Sequence, residues 1–308
     1  MGRPLNQQVV VISGAASGIG RATAKRFAAG GARVVVGGRS ASGIAAILED
    51  IQDAGGLGVG MQMDVSRRDQ VEALADLAIR TYGRIDTWVN NAGVSIYSRF
   101  EDVTEDEVRR LFDVNFMGQM HGMWTALPLL RKNGGGTIIN LASVVGKRGL
   151  PLQSFYSATK FAIVGLSEAL RVELRTEKEN IALCVICPPS VDTPFYDNAL
   201  SKMGHCSKPL PIVLPADRVA KDVVRCAVHA RREVWVGMIG KVFVTLSILF
   251  PWMMDRYITS LGYKAQMSDE PTGEASLFNP TSKTGESGDW SAWGKREPAV
   301  KGQLRGGK

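Results

Sequence analysis

The segment VISGAASGIGRATAKRF sets the strongest limit on what this chain can fold into. A run from Gln8 to Ser13, apolar from Val9 to Ile12, ends in a turn with three glycines, and an amphipathic helix begins at once. A strand apolar along its length has both faces covered, as in a parallel sheet clothed by helices. Gly14 permits a tight turn, Gly18 lets the backbone approach a ligand, and Gly20 lets the helix pack close to the strand. The helix N-terminus adds N–H donors and a partial positive charge, which suit a phosphate. Glycines also serve ordinary turns, so the motif takes its meaning from the sheet around it.

That sheet is legible. ARVVVGG, GVGMQMDV, IDTWVNNAG, TIINLA and IALCVICPP read as strands two to six, and EVWVG as a short seventh. Helical patterns separate them, including a long one predicted to open at the capping pattern beginning at Thr104 and to run towards Arg131. The alternation predicts an α/β fold, a doubly wound parallel sheet, in one domain over residues 1–240. Residues 241–267 read as an apolar C-terminal extension. From 268 to 308 the composition turns to Gly, Ser, Thr, Pro and mixed charge, which predicts a disordered tail.

Apolar residues make up 45% of the chain, enough for a large core. The net charge of +7 is modest, and no basic segment interleaved with aromatics suggests a nucleic-acid partner. Cys184 and Cys187 form C-x-x-C inside a strand; residues three apart there point to opposite faces, so buried free thiols are expected rather than a metal site. MGRPLNQQ runs into the first strand without a signal peptide, and a cytoplasmic chain is expected.

Two further places carry chemistry. At the end of strand two, Gly37 and Gly38 offer no carboxylate for ribose hydroxyls, and Arg39 offers a guanidinium suited to a 2′-phosphate. NADP(H) is therefore expected over NAD(H). Later, Tyr156 and Lys160 stand at i and i+4 of a predicted helix, on one face, with Ser143 in the loop before it. A phenol beside an ammonium and a hydroxyl can form an acid–base unit; a surface Tyr and Lys at a helix start would look the same.

Taken together these residues resemble the short-chain dehydrogenase/reductase family. The resemblance runs over roughly residues 8 to 237, through SGAASGIG, NNAG (Asn90 to Gly93), Asn115, Ser143, Tyr156 and Lys160. It implies a Rossmann-type fold for a catalytic domain over residues 1–240, and reversible nicotinamide-linked oxidation of alcohols or reduction of carbonyls. Cofactor contacts are implied for Gly14, Ser17, Gly18, Ile19 and Gly20 at the phosphates, Asp64 and Val65 at the adenine, and Asn91, Ala92 and Gly93 after strand four. Pro188, Val191 and Thr193 are implied at the nicotinamide amide, with Pro189 standing where the family usually has glycine. Tyr156 would exchange a proton with the substrate oxygen, its phenol lowered by Lys160 and the cofactor's charge. Ser143 would hold that oxygen, Lys160 would also bind the nicotinamide ribose, and Asn115 would hold a water leading to solvent. A homodimer or homotetramer is implied by the same resemblance. A protein that senses NADP(H) without turnover, or an NAD-dependent alcohol dehydrogenase, would share most of these features.

Phe195, Tyr196, Leu200 and Met203, with Val145, Leu150 and Leu152, make the expected substrate region apolar, and a lipophilic ketone or secondary alcohol is the expected substrate. The uncharged run VFVTLSILFPWMM, Val242 to Met254, is shorter than the about twenty residues a bilayer span needs. It can cover the substrate pocket, form a subunit interface, or dip into a membrane surface.

Overall fold

The computed structural model describes residues 2–288 and 290. Seven strands form one parallel sheet: β1 (Val9–Ser13), β2 (Arg33–Gly38), β3 (Leu57–Gln62), β4 (Thr87–Asn90), β5 (Gly136–Leu141), β6 (Ile181–Cys187) and β7 (Glu233–Trp235). Their spatial order is β7-β6-β5-β4-β1-β2-β3. The order reverses between β1 and β4, where Ser13 stands beside both Gly37 and Asn90. Ligands of open α/β sheets bind beyond the carboxyl ends of the strands at such a reversal.

Alternate residues of β1 enter different cores. Val9 and Val11 pack on the side of α3 (Arg68–Tyr82) and α5 (Gly118–Lys132), while Val10 and Ile12 face α1 (Gly18–Ala29) and α7 (Ala216–Val228). This two-sided burial makes the strands apolar throughout. Cys184 and Cys187 likewise enter separate clusters, both as free thiols. A few polar groups interrupt the apolar strands. Asn90 and Asn140, paired in register across β4 and β5, join through Asn90 Nδ2 to Asn140 Oδ1 at 2.9 Å. Trp88 Nε1 donates to Asn90 Oδ1, and Asn140 Nδ2 donates to Ser167 on α6 (Ser154–Thr176). Gly122 lies against this network: a Cβ there would fall 2.0 Å from Asn90 Oδ1.

The helix opening at Thr104 carries its capping box, Thr104 Oγ1 accepting from Glu107 N and Glu107 Oε2 from Thr104 N. It does not continue regularly to Arg131. After α4 (Glu105–Phe112) the residues Asp113–Met117 form a π-helical turn before α5. Such turns recur at functional sites, and this one carries Asn115.

Order also extends beyond the compositional break at 268. Met267–Pro271 forms a strand antiparallel to His205–Ser207, and Leu277 and Trp290 are buried. The described part of the tail is therefore docked on the domain; residues 291–308 lie outside the described residues. Between domain and tail, α8 (Gly237–Leu249) and α9 (Pro251–Tyr257) meet at Phe250 and Pro251, and the helical pair extending to Ser260 is bent by 119°.

Candidate active site

One cleft of about 520 Å³ lies beyond the carboxyl ends of the central strands. Of the site residues expected from sequence, only Gly20 and Asn115 do not line it; both lie behind its wall. Gly20 sits where a Cβ would meet Gly14 O at 2.2 Å, which is the close helix–strand packing its role requires. Gly14 has φ +69° and Gly18 φ +52°, the left-handed region that glycine adopts without strain. Asn91 braces the turn from behind, its Nδ2 donating to Gly14 O at 2.8 Å. Its side chain is a support for the phosphate turn rather than a free ligand group.

Tyr156 and Lys160 face the cleft from the first turns of α6, both buried. Lys160 Nζ lies 5.6 Å from the centre of the Tyr156 ring and donates to Leu141 O at 2.9 Å. Burial pushes the ammonium down to about 8. Burial raises the Tyr156 phenol above its usual value of 10, Tyr196 adds to the rise, and Ser143 pulls only partly back.

Asn115 is tied to the loop after β4: its Oδ1 accepts from Val94 N at 2.8 Å, and its Nδ2 donates to Val94 O and Thr159 Oγ1. Ser143, at the end of β5, is placed by Val145 N and Pro188 O. The unusual Pro189 packs 3.6 Å from the Cβ position of Gly240, so this departure seats α8 against the site.

Asp64 lines the adenine end. Burial alone would raise its carboxyl, but the Arg110 guanidinium and two donors of Ser66 hold it below the usual range. Arg39 lines the cleft too, yet its guanidinium donates to three carbonyls of the tail, those of Ser276, Leu277 and Phe278. Gly18 N, in the phosphate turn, donates to Gly285 O at 3.0 Å, and Lys25 pairs with Glu286. Ser276 to Thr284 thus form a strap across the adenine side of the cleft, absent from the expectation drawn from sequence.

The far end is apolar. Phe195 lies 5.6 Å, ring to ring, from Tyr156, and Val145, Leu150 and Tyr196 join it. Leu152 and Met203 instead pack beside Tyr97, and Leu200 joins the main core. The wall is completed by Ile239 and Phe243 of α8 and by Tyr257 of α9, residues that periodicity alone did not assign to a site. Lys147 and Arg148 are spent on Glu233 and Asp255.

A nicotinamide dinucleotide fits these residues. The cleft of about 520 Å³ is lined by Gly14, Ser17 and Gly18 of the turn at one end and by Ser143, Tyr156 and Lys160 at the other, and a Cβ at Gly93 would lie 3.4 Å from Asn115 Oδ1 and 3.8 Å from Lys160 Nζ. Comparison with known proteins agrees. An uncharacterized oxidoreductase of Bacillus subtilis, YxnA, is 34% identical over 90% of this chain and 79% of its own length. A short chain dehydrogenase/reductase from Burkholderia phymatum, solved in complex with NAD, superposes with a TM-score of 0.74 at 27% identity, covering 82% of this chain and 96% of its own. An alcohol dehydrogenase from Thermococcus sibiricus complexed with 5-hydroxy-NADP gives 0.64 at 27% identity, covering 74% and 94%. With the short chain dehydrogenase model matched over residues 8–204, around a glycine turn and a cleft that joins Ser143 to the buried Tyr156 and Lys160, the chain belongs to the short-chain dehydrogenase/reductase family of oxidoreductases.

Proposed function

We propose that the protein interconverts a lipophilic ketone and its secondary alcohol, using NADP(H) and Tyr156 as the proton-exchanging group. The observation that carries this reading is the buried Tyr156 phenol, facing the same cleft as Ser143 and Lys160 and packed against Phe195 at an apolar cavity end. The cofactor, when bound, supplies or accepts the hydride. Tyr156 gives its proton to the carbonyl oxygen in reduction and takes it back in oxidation. Ser143 orients the oxygen, and the ammonium of Lys160 offsets the phenolate as it forms.

Arg39 supports NADP(H) over NAD(H), since β2 ends in Gly37 and Gly38 with no carboxylate for ribose hydroxyls. A 2′-phosphate would take over donors now given to strap carbonyls, exchanging neutral acceptors for an anion. Steady-state oxidation of NADPH and NADH with ketones of graded chain length and ring number tests the reading. Turnover only with small polar carbonyls, or none with any member, would refute it.

A further inference from the structure

The bent pair α8–α9 has two sides with different surroundings. Ile239, Phe243, Tyr257 and Ile258 turn towards the cleft. On the other side Ile248, Leu249, Phe250 and Trp252 stand in the open, Leu249 at 62% and Trp252 at 70% exposure. Consecutive large apolar residues at a helix bend cost solvation free energy and mark a contact surface. No single helix among the described residues is long and apolar enough to cross a membrane, and a 119° bend prevents the pair from acting as one straight span.

Charge identifies the occupant. Between residues 237 and 263 the single carboxylate is Asp255, and Arg148 neutralises it. Lys241 and Arg256, both exposed, have no ion-pair partner among the described residues. The tip therefore presents aliphatic and aromatic side chains flanked by two uncompensated cations. That combination suits helices lying in the plane of an anionic bilayer surface, with aliphatic groups below the headgroups and Trp at their level.

We infer that the α8–α9 bend docks on an anionic lipid surface. The α8–α9 pair then lies between the bilayer and the apolar cleft end that Phe243 and Tyr257 line, which brings a lipophilic substrate's source next to the site. This deepens the reading of a lipophilic substrate and rests on it for the route, but docking itself rests on the exposed face. Vesicle binding is measured without substrate or turnover, so its failure is distinguishable from failure of the proposed reaction.

The test is flotation of the full chain with phosphatidylcholine vesicles and with equimolar phosphatidylcholine and phosphatidylglycerol, at low and high salt. Wild type floats with the mixed vesicles and is released by salt. Trp252→Glu lowers the bound fraction about tenfold, and Lys241→Gln and Arg256→Gln lower it about fivefold each. All three side chains are exposed, so melting curves and size-exclusion profiles stay as in the wild type. Wild type remaining unbound, equal binding to both vesicle types, or unchanged flotation of Trp252→Glu would overturn the inference. Dissociation of an oligomer by Trp252→Glu would also overturn it, assigning the face to a second copy of the chain.

Discussion

Replacing Lys160 by Met should abolish turnover and yet make the protein more stable at neutral pH. The ammonium is buried on every side, and burial has lowered it from 10.5 to about 8. Keeping it charged near pH 7 therefore costs the folded state ~3 kcal/mol relative to the unfolded chain. Met has similar length and no charge. The substitution removes the bond to Leu141 O, worth ~1 kcal/mol net, but that carbonyl also accepts from Gln119 Nε2 at 2.9 Å and is not orphaned. A gain of ~2 kcal/mol remains, equivalent to about 4–6 °C in Tm. Between about 8 and 10.5 the unfolded lysine holds a proton that the folded one has released, so wild-type stability rises through this window. The variant lacks this rise, and the gap should close. Urea unfolding of both proteins at neutral pH and at about pH 10 checks this. A variant less stable than wild type at neutral pH, or a gap that does not narrow, would refute the reasoning.

Tyr156→Phe keeps the ring against Phe195 and removes the proton donor; kcat should fall about 10³-fold with nucleotide affinity unchanged in a fluorescence titration. More than a few per cent of residual activity would contradict the assigned role. Arg39→Asp should shift preference from NADP(H) to NAD(H) by about tenfold or more in kcat/KM; wild type using both equally would remove Arg39 from that role. Ending the chain after residue 272 strips Leu277 and Trp290 from their sites, so Tm should fall in thermal unfolding; an unchanged Tm would mean the docked tail contributes nothing to stability. Gly122→Ala forces a methyl group against Asn90 and Trp88 and should cost ~3 kcal/mol in urea unfolding.

The strands, the glycine turn and the Tyr156–Lys160 face were legible because each is a local pattern with a fixed period. Their convergence on one cleft follows from parallel topology, which that alternation implies. The π-turn was hidden because Asp113–Met117 is composed like any helix, and its hydrogen-bond shift leaves no mark in residue type. The strap was hidden for a different reason: it reaches Arg39 and Gly18 through main-chain carbonyls, which every residue possesses. The direction of the Tyr156 shift depends on how much water burial removes, a three-dimensional quantity. Asn115 and Asn91 were found as site residues, but their partners, Val94 and Gly14, emerge only from the folded loops.

The paired amides of Asn90 and Asn140 bear on how the sheet finds its alignment. Runs such as VVVI and TIIN offer almost interchangeable positions, and a two-residue slide of β5 along β4 would keep every side chain on its proper face. Such a slide would separate the two asparagines and strand their polar atoms among valines and isoleucines, at ~1–3 kcal/mol for each unsatisfied group. The correct alignment is then the one in which Trp88, Asn90, Asn140 and Ser167 all find partners. Asn90 closes β4 and Ser143 follows β5 at the carboxyl ends of the sheet, so an address that fixes β4 against β5 also fixes Ser143 relative to the loop after β4 that carries Asn91 and Gly93.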